Sequence, residues 1–176
     1  INVVYMENMF FNCSNFNKNI NNWNIYNLIH AKEMFKNCFS FNQPLNNWNT
    51  ISIINIKSMF YNCQNFNQEL YNWNTINVLN MNSLFFNCFN FNQSLNNWNI
   101  SNCTNFNNIL FNCNKFNQSL NNWKLNYKHL HNFDNLHIDY QPMIFNKNNY
   151  NLILKQEILF KQNIINKIKN KIKNKK

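Results

Sequence analysis

The sequence predicts a repeat solenoid in which each 25-residue coil contributes a short parallel strand and a short helical or 3₁₀ segment. Two observations predict this fold class: a gapless internal repeat over residues 1–125, and columns of apolar residues that recur at the same place in every copy. Stacked coils bury such columns against their neighbours, so stability accumulates coil by coil. A period of 25 residues falls within the range of leucine-rich repeats, so the predicted solenoid is leucine-rich-repeat-like.

The repeat is strongest in five blocks that align without a gap. They are MFFNCSNFNKNINNWN (9–24), MFKNCFSFNQPLNNWN (34–49), MFYNCQNFNQELYNWN (59–74), LFFNCFNFNQSLNNWN (84–99) and ILFNCNKFNQSLNNWK (109–124). Two of the invariant columns are predicted to form structural ladders inside the stack. The Cys column is Cys13, Cys38, Cys63, Cys88 and Cys113, and the Trp column is Trp23, Trp48, Trp73, Trp98 and Trp123.

The elements within a coil are predicted from spacing. Between Ile53 and Cys63 the apolar residues recur every three or four positions, which indicates a short helical or 3₁₀ segment. The next section contains Pro44 in one copy and so is not a helix interior. We expect a short strand near its Leu–Asn–Asn–Trp part, pairing in parallel with the neighbouring coils.

Asparagine dominates the composition, with 50 residues against no glycine. AT-rich codons explain most of this bias and point to an AT-rich genome. Asparagine also tolerates the left-handed backbone region that turns need. The pairs before the Trp column, such as Asn46–Asn47, are predicted turn residues, and asparagine columns stacked in register are expected to form side-chain amide ladders.

The period stops after Lys124. Residues 126–150 are predicted to cap the exposed apolar end of the last coil, and residues 151–176 to form a basic amphipathic helical tail. The tail has eight lysines and one glutamate, a net charge of +7 out of +10 for the chain. The chain begins with Ile1 in mid-repeat, so its N-terminus is expected to be truncated, and no apolar run is long enough for a transmembrane helix.

The cysteines have three alternative interpretations. Stacked thiols on a strand face would lie within disulfide range, whereas a metal site would need paired ligands that are absent. Because the Cys column ends the predicted helical segment, and packed helices lie ~8–10 Å apart, we expect buried free thiols. A second cluster comprises His129, His131, Asp134, His137 and Asp139. We interpret it as part of the C-terminal cap rather than as a zinc or iron site.

No catalytic arrangement is visible, so the chain is predicted not to be an enzyme and to need no cofactor or metal. Two variable columns contain Lys or Gln, which a sealed core position would not accept, and their aromatic residues form a candidate partner-binding stripe. The stripe residues are Phe11, Phe39, Tyr61, Phe86, Phe89 and Phe111. The alternative is that AT-rich codons placed phenylalanine on a tolerant surface.

The pattern MF-x-N-C-x-x-FNQ-x-L-x-NW resembles the repeat of BspA-like leucine-rich-repeat surface proteins over residues 1–125. Two positions depart from that family, with Asn in place of Asp after the tryptophan and of Gly before the cysteine. The resemblance implies a solenoid with a binding or adhesion role, often at a cell surface. The expected partner is a protein or glycan. The competing hypothesis is an electrostatic binder of nucleic acid or anionic membrane that acts through the lysine tail.

Overall fold

The structure, a computed structural model, describes residues 2–123. In this range the backbone forms a stack of coils, and each residue lies beside its counterpart 25 positions later. Parallel single-residue bridges join the coils in register. They pair Tyr5 with His30, His30 with Asn55, Asn55 with Asn80, and Asn80 with Asn105.

The predicted fold class is wrong in its elements. Residues 2–123 contain neither a helix nor a strand, and the coils consist of turns, the isolated bridges and irregular segments. The leucine-rich-repeat-like coil of one strand plus one helical segment is therefore not what this sequence forms. The predicted cap (126–150) and C-terminal helical tail (151–176) lie outside the described residues.

The backbone hydrogen bonds explain why the helical prediction fails. Every second N–H group between residues 56 and 62 donates to a carbonyl of the next coil, 24 residues later, at 2.8–3.0 Å. The N–H groups of Met59, Tyr61 and Cys63 instead close turns onto the carbonyl three residues earlier. An α-helix needs bonds to the fourth residue back. Successive turns produce the same three-and-four spacing of apolar side chains without a helix.

The predicted strand near Leu–Asn–Asn–Trp is also replaced by a turn. The Trp48 N–H donates to the Leu45 carbonyl at 3.2 Å, and the two asparagines between them form the turn. Both flanking side chains are buried. A separation of three residues therefore brings both onto the core side, which a strand of period two would not do.

Ten residues have a positive φ, and they fall into two columns. The first comprises Asn12, Asn37, Asn62, Asn87 and Asn112, and the second Asn8, Glu33, Ser58, Ser83 and Asn108. Glycine is the usual residue for this conformation, and asparagine is the most tolerant alternative. Asparagine was predicted to take the left-handed positions that glycine usually occupies, and it does so at the position before each cysteine of the Cys column. The asparagine pairs before the Trp column lie in turns without positive φ.

The first positive-φ column forms the amide ladder that the stacked asparagines predicted. Each side-chain NH₂ donates to the amide oxygen of the preceding coil, from Asn37 to Asn12 and from Asn62 to Asn37 at 2.7 Å. The same bond continues to the last coil, where Asn112 donates to Asn87 at 2.9 Å. The ladder holds neighbouring coils in register along one edge.

The core is a set of stacked aromatic columns. Phe60 lies between the rings of Phe35 and Phe85, with both centroid separations 5.6 Å. Within its own coil it stacks on Phe66 at 4.3 Å. Apolar side chains of each coil are thus buried against the coils on either side. Within residues 2–123 there is no helix that is long and apolar enough to cross a membrane.

Candidate binding surface

The Trp column serves as an inter-coil ladder in two ways. The rings stack, with Trp73 6.3 Å from Trp48 and 6.2 Å from Trp98. From Trp48 onward, each indole N–H also donates to a main-chain carbonyl of the preceding coil; for Trp73 the acceptor is the Leu45 oxygen at 3.0 Å. Because a buried indole N–H needs a partner, tryptophan fits this position better than an aromatic ring without a donor.

The Cys column repeats this arrangement with a smaller side chain. The Cys63 thiol donates to the Phe35 carbonyl at 3.0 Å, and the Cys88 thiol to the Phe60 carbonyl at 2.9 Å. We expected the spacing between packed helices to keep the thiols apart. This reason is wrong, because the coils of residues 2–123 contain no helices. The six cysteines are nevertheless all free. Only Cys13 is exposed.

Burial also makes these thiols unreactive. It raises the pKa of Cys38 to about 12, with a smaller contribution from neighbouring Cys13, and raises that of Cys103 to about 11. We therefore expect a thiol reagent at neutral pH to modify Cys13 rapidly in the native protein, and all six cysteines only after denaturation. Mass spectrometry of the alkylated protein measures this, and rapid native labelling of Cys63 would contradict it.

The first variable column of the predicted stripe forms a continuous outer ladder, here called the aromatic column: Phe11, Lys36, Tyr61, Phe86 and Phe111. Tyr61 stacks on Phe86 at 4.6 Å, and Phe86 stacks on Phe111 at 4.7 Å. The Lys36 ammonium replaces a ring in the series, 5.5 Å from the Phe11 centroid and 5.3 Å from that of Tyr61. Stacking covers the ring faces and leaves the edges partly exposed.

Lys36 is also held by an ion pair. Its ammonium lies 3.3 Å from a Glu33 carboxylate oxygen, three residues earlier. The lysine therefore has two aromatic neighbours and an acidic partner, which explains how a charge fits into a column of rings. Phe11, at the end of the column, is 39% exposed.

The second variable column, here called the mixed column, is more polar: Ser14, Phe39, Gln64, Phe89 and Asn114. Its two aromatic residues lie two coils apart. Phe39 is 40% exposed, and Phe89 is half-buried. Each of them directly precedes a residue that lines a groove. The structure thus places the six stripe residues in two separate columns, one stacked and one interrupted.

The groove, here called the amide groove, has a volume of about 560 Å³ and extends along all five coils. Its lining comes from two columns, Asn17, Asn42, Asn67 and Asn92 on one side, and Ser40, Asn65, Asn90 and Lys115 on the other. The only charged side chain in this described lining is Lys115, in the last coil. A regular concave surface of amides on a repeat stack is a feature that the sequence reasoning missed.

The recurring Phe–Asn–Gln motif builds one wall of this groove. The Asn42 side-chain oxygen accepts from the Asn67 main-chain N–H at 2.9 Å and from the Gln68 side-chain NH₂ at 2.9 Å. Asn67 plays the same part for Asn92 and Gln93, at 2.8 and 3.1 Å. The motif therefore links coils by directing each amide oxygen toward the next coil. The signal for it, FNQ at constant spacing, was visible in the sequence.

A second feature that the sequence reasoning missed is an apolar ridge beside the bridges. Ile29, Ile54 and Leu79 occupy equivalent places, and Leu79 is 45% exposed. Tyr26, three residues before Ile29, is also exposed.

The sequence contains His, Cys, Asp and Glu side chains, which can ligate metal ions. Among residues 2–123 no group of three or more His, Cys, Asp or Glu side chains lies together so that it could hold a metal ion. The cluster from His129 to Asp139 lies outside the described residues.

Comparison with known proteins agrees with the repeat character. The family model described as "Mycoplasma protein of unknown function, DUF285" matches twice, at residues 1–63 and 44–151. No curated protein and no solved structure matches the chain significantly. The two matches together span most of the chain, including every copy of the 25-residue repeat. The chain therefore belongs to the family of Mycoplasma proteins of unknown function, DUF285.

Proposed function

We propose that the coil stack is a non-enzymatic scaffold that binds a protein or glycan along one face. The observation that carries the proposal is the adjacency of partly exposed aromatic residues and a concave polar surface. Phe39 and Phe89 directly precede lining residues of the amide groove, and this groove spans every coil. Aromatic anchors beside a cleft are typical of interaction sites.

The repeat's resemblance to BspA-like surface proteins supports adhesion as the biological setting. Such a role needs a surface that recurs along the molecule, because multiple weak contacts then add up. The five copies of each column supply that recurrence. The cell-surface location and the protein or glycan partner are likewise part of what we propose.

The test is a stripe variant, Tyr61, Phe86 and Phe89 each changed to Ser, in the full chain. Loss of three interface anchors is expected to weaken binding at least ~10-fold. Binding of the labelled protein to intact cells and to an array of glycans is the measurement. The stripe variant will also lose some stability, because the Tyr61–Phe86 stack at 4.6 Å is removed.

A matched control separates binding from stability. Changing Tyr26, Tyr71 and Leu79 to Ser removes three exposed apolar side chains outside the stripe. This control is expected to bind like the unmodified protein. Equal binding by the stripe variant, once thermal melts show that it is folded, would contradict the placement of the site.

A second candidate function is electrostatic binding through residues 151–176, favoured by their net charge of +7. Binding of nucleic acid or anionic lipid releases counterions and weakens steeply with salt, whereas binding at the aromatic face should change little. A salt titration therefore distinguishes the two, and truncation before residue 151 removes only the electrostatic component.

A further inference from the structure

We propose that the amide groove binds a neutral, β-linked polysaccharide whose chain runs along the stack, one sugar unit per coil. The inference rests on the proposed function and names its ligand class. Three properties of the groove carry it: the direction of its amide groups, its repeat distance and its charge.

The amide groups present free donors at fixed positions. The oxygens of Asn42, Asn67 and Asn92 each accept two hydrogen bonds from the next coil. Among the described residues, the NH₂ groups of these three side chains donate to no protein acceptor. Since the oxygen fixes the amide plane, each NH₂ is held in one orientation with two donors available.

These donors repeat at the spacing of the coils. Equivalent rings of adjacent coils lie 4.6–4.7 Å apart in the aromatic column and 5.8–6.0 Å apart for Phe41, Phe66 and Phe91, which directly precede the lining asparagines. Ordinary bond lengths make a flat pyranose unit ~5 Å long between its glycosidic oxygens. An extended peptide advances ~3.3 Å per residue and ~6.6 Å per same-face pair. The length of a β-linked sugar unit lies within this range of coil spacings, whereas the ~6.6 Å of a same-face peptide pair lies outside it.

The chemistry of the lining also fits an uncharged polyol. Apart from Lys115 at one end, the lining side chains are asparagines and one serine. Sugar hydroxyls accept from NH₂ groups as well as donate, so every coil offers the same set of partners. Phe39 and Phe89 flank the lining two coils apart, where their partly exposed rings can pack on the apolar C–H faces of sugars.

The test uses the full chain and soluble hexasaccharides. β-1,4-Linked glucose and N-acetylglucosamine hexamers are the probes, with the matching dimers, an α-linked glucose hexamer and heparin as comparisons. Calorimetry is expected to show binding of at least one β-linked hexamer, with the dimer at least ~10-fold weaker because fewer coils are engaged. The α-linked hexamer, which coils, should bind more weakly than the β-linked one.

The variant N42D/N67D/N92D tests the donors directly. Aspartate keeps the oxygen that accepts from the next coil and removes the NH₂. We expect hexamer affinity to fall at least ~10-fold. The control N49D/N74D/N99D adds the same charge at exposed asparagines whose oxygens also accept a main-chain N–H, and should bind normally. If the triple variant does not fold, N67D alone should show a ~3-fold loss.

The outcomes separate this inference from the proposed function. Absence of binding by all β-linked hexamers, or equal binding by both triple variants, overturns the glycan assignment. If intact cells bind the unmodified protein but not the stripe variant, the proposed function remains even though the glycan assignment fails. Binding of heparin alone, lost in high salt, overturns the assignment in favour of the lysine tail.

Discussion

Replacing Trp73 with Ala is expected to lower the free energy of unfolding by ~3–5 kcal/mol, the usual cost of deleting a buried aromatic side chain. The side chain is 4% exposed, and its ring stacks on those of Trp48 and Trp98. The Leu45 carbonyl would also lose its indole donor. A stack of coils cannot close such a gap without shifting the neighbours on both sides. Denaturant unfolding monitored by circular dichroism measures the loss.

Two further variants divide this loss into parts. Trp73→Phe keeps a ring but removes the indole N–H, so it should cost ~1–3 kcal/mol through the lost hydrogen bond to Leu45 and the smaller ring. Trp23→Ala should cost less than Trp73→Ala, because Trp23 is only half-buried in the described structure. Equal and small losses for Trp23→Ala and Trp73→Ala would contradict an interior tryptophan ladder.

The repeat and its buried columns could be read from the sequence because identity between copies needs no knowledge of the backbone. Phe41, Leu45 and Trp48 recur with their chemistry unchanged, and all three are buried. Burial at a repeated position follows from stacking alone, whatever conformation the coil has.

The conformation of the coil could not be read in the same way. A series of tight turns gives the same spacing of apolar side chains as a helix does. The two differ in the positions at which the backbone adopts the left-handed, positive-φ conformation. Glycine would normally mark those places. Here Glu33, Ser58 and Ser83 take positive φ values of 53–56°, and asparagine occurs at so many other positions that it marks none of them.

The candidate site was likewise only partly predictable from the sequence. The FNQ motif was plain, yet its role depends on which coil Gln68 reaches, and only the register of the stack brings its NH₂ to Asn42. The free donors of the amide groove follow from that bond. The aromatic column was expected to be exposed, but its rings stack at 4.6–4.7 Å, which the sequence could not show.

The asparagine before each cysteine combines a backbone role with a side-chain role, and Asn62→Val removes both. Asn62 has a φ of 61°, donates to Asn37 at 2.7 Å and accepts from Asn87 at 2.7 Å. A β-branched residue is an outlier at positive φ, at a cost of ~1–3 kcal/mol. The two lost hydrogen bonds add about 0.5–1.5 kcal/mol each. We expect a total loss of ~2–6 kcal/mol in the free energy of unfolding.

Asn62→Gly separates the two roles, because glycine adopts the same φ without strain but carries no amide. It should lose only the ladder contribution, ~1–3 kcal/mol, and Asn62→Ala should fall between glycine and valine. Denaturant midpoints of the three variants give the order. If valine and glycine were equally destabilising, the left-handed backbone would not explain asparagine at this position. The expected order instead means that the backbone requires a residue tolerant of positive φ, and that the amide ladder favours asparagine over glycine.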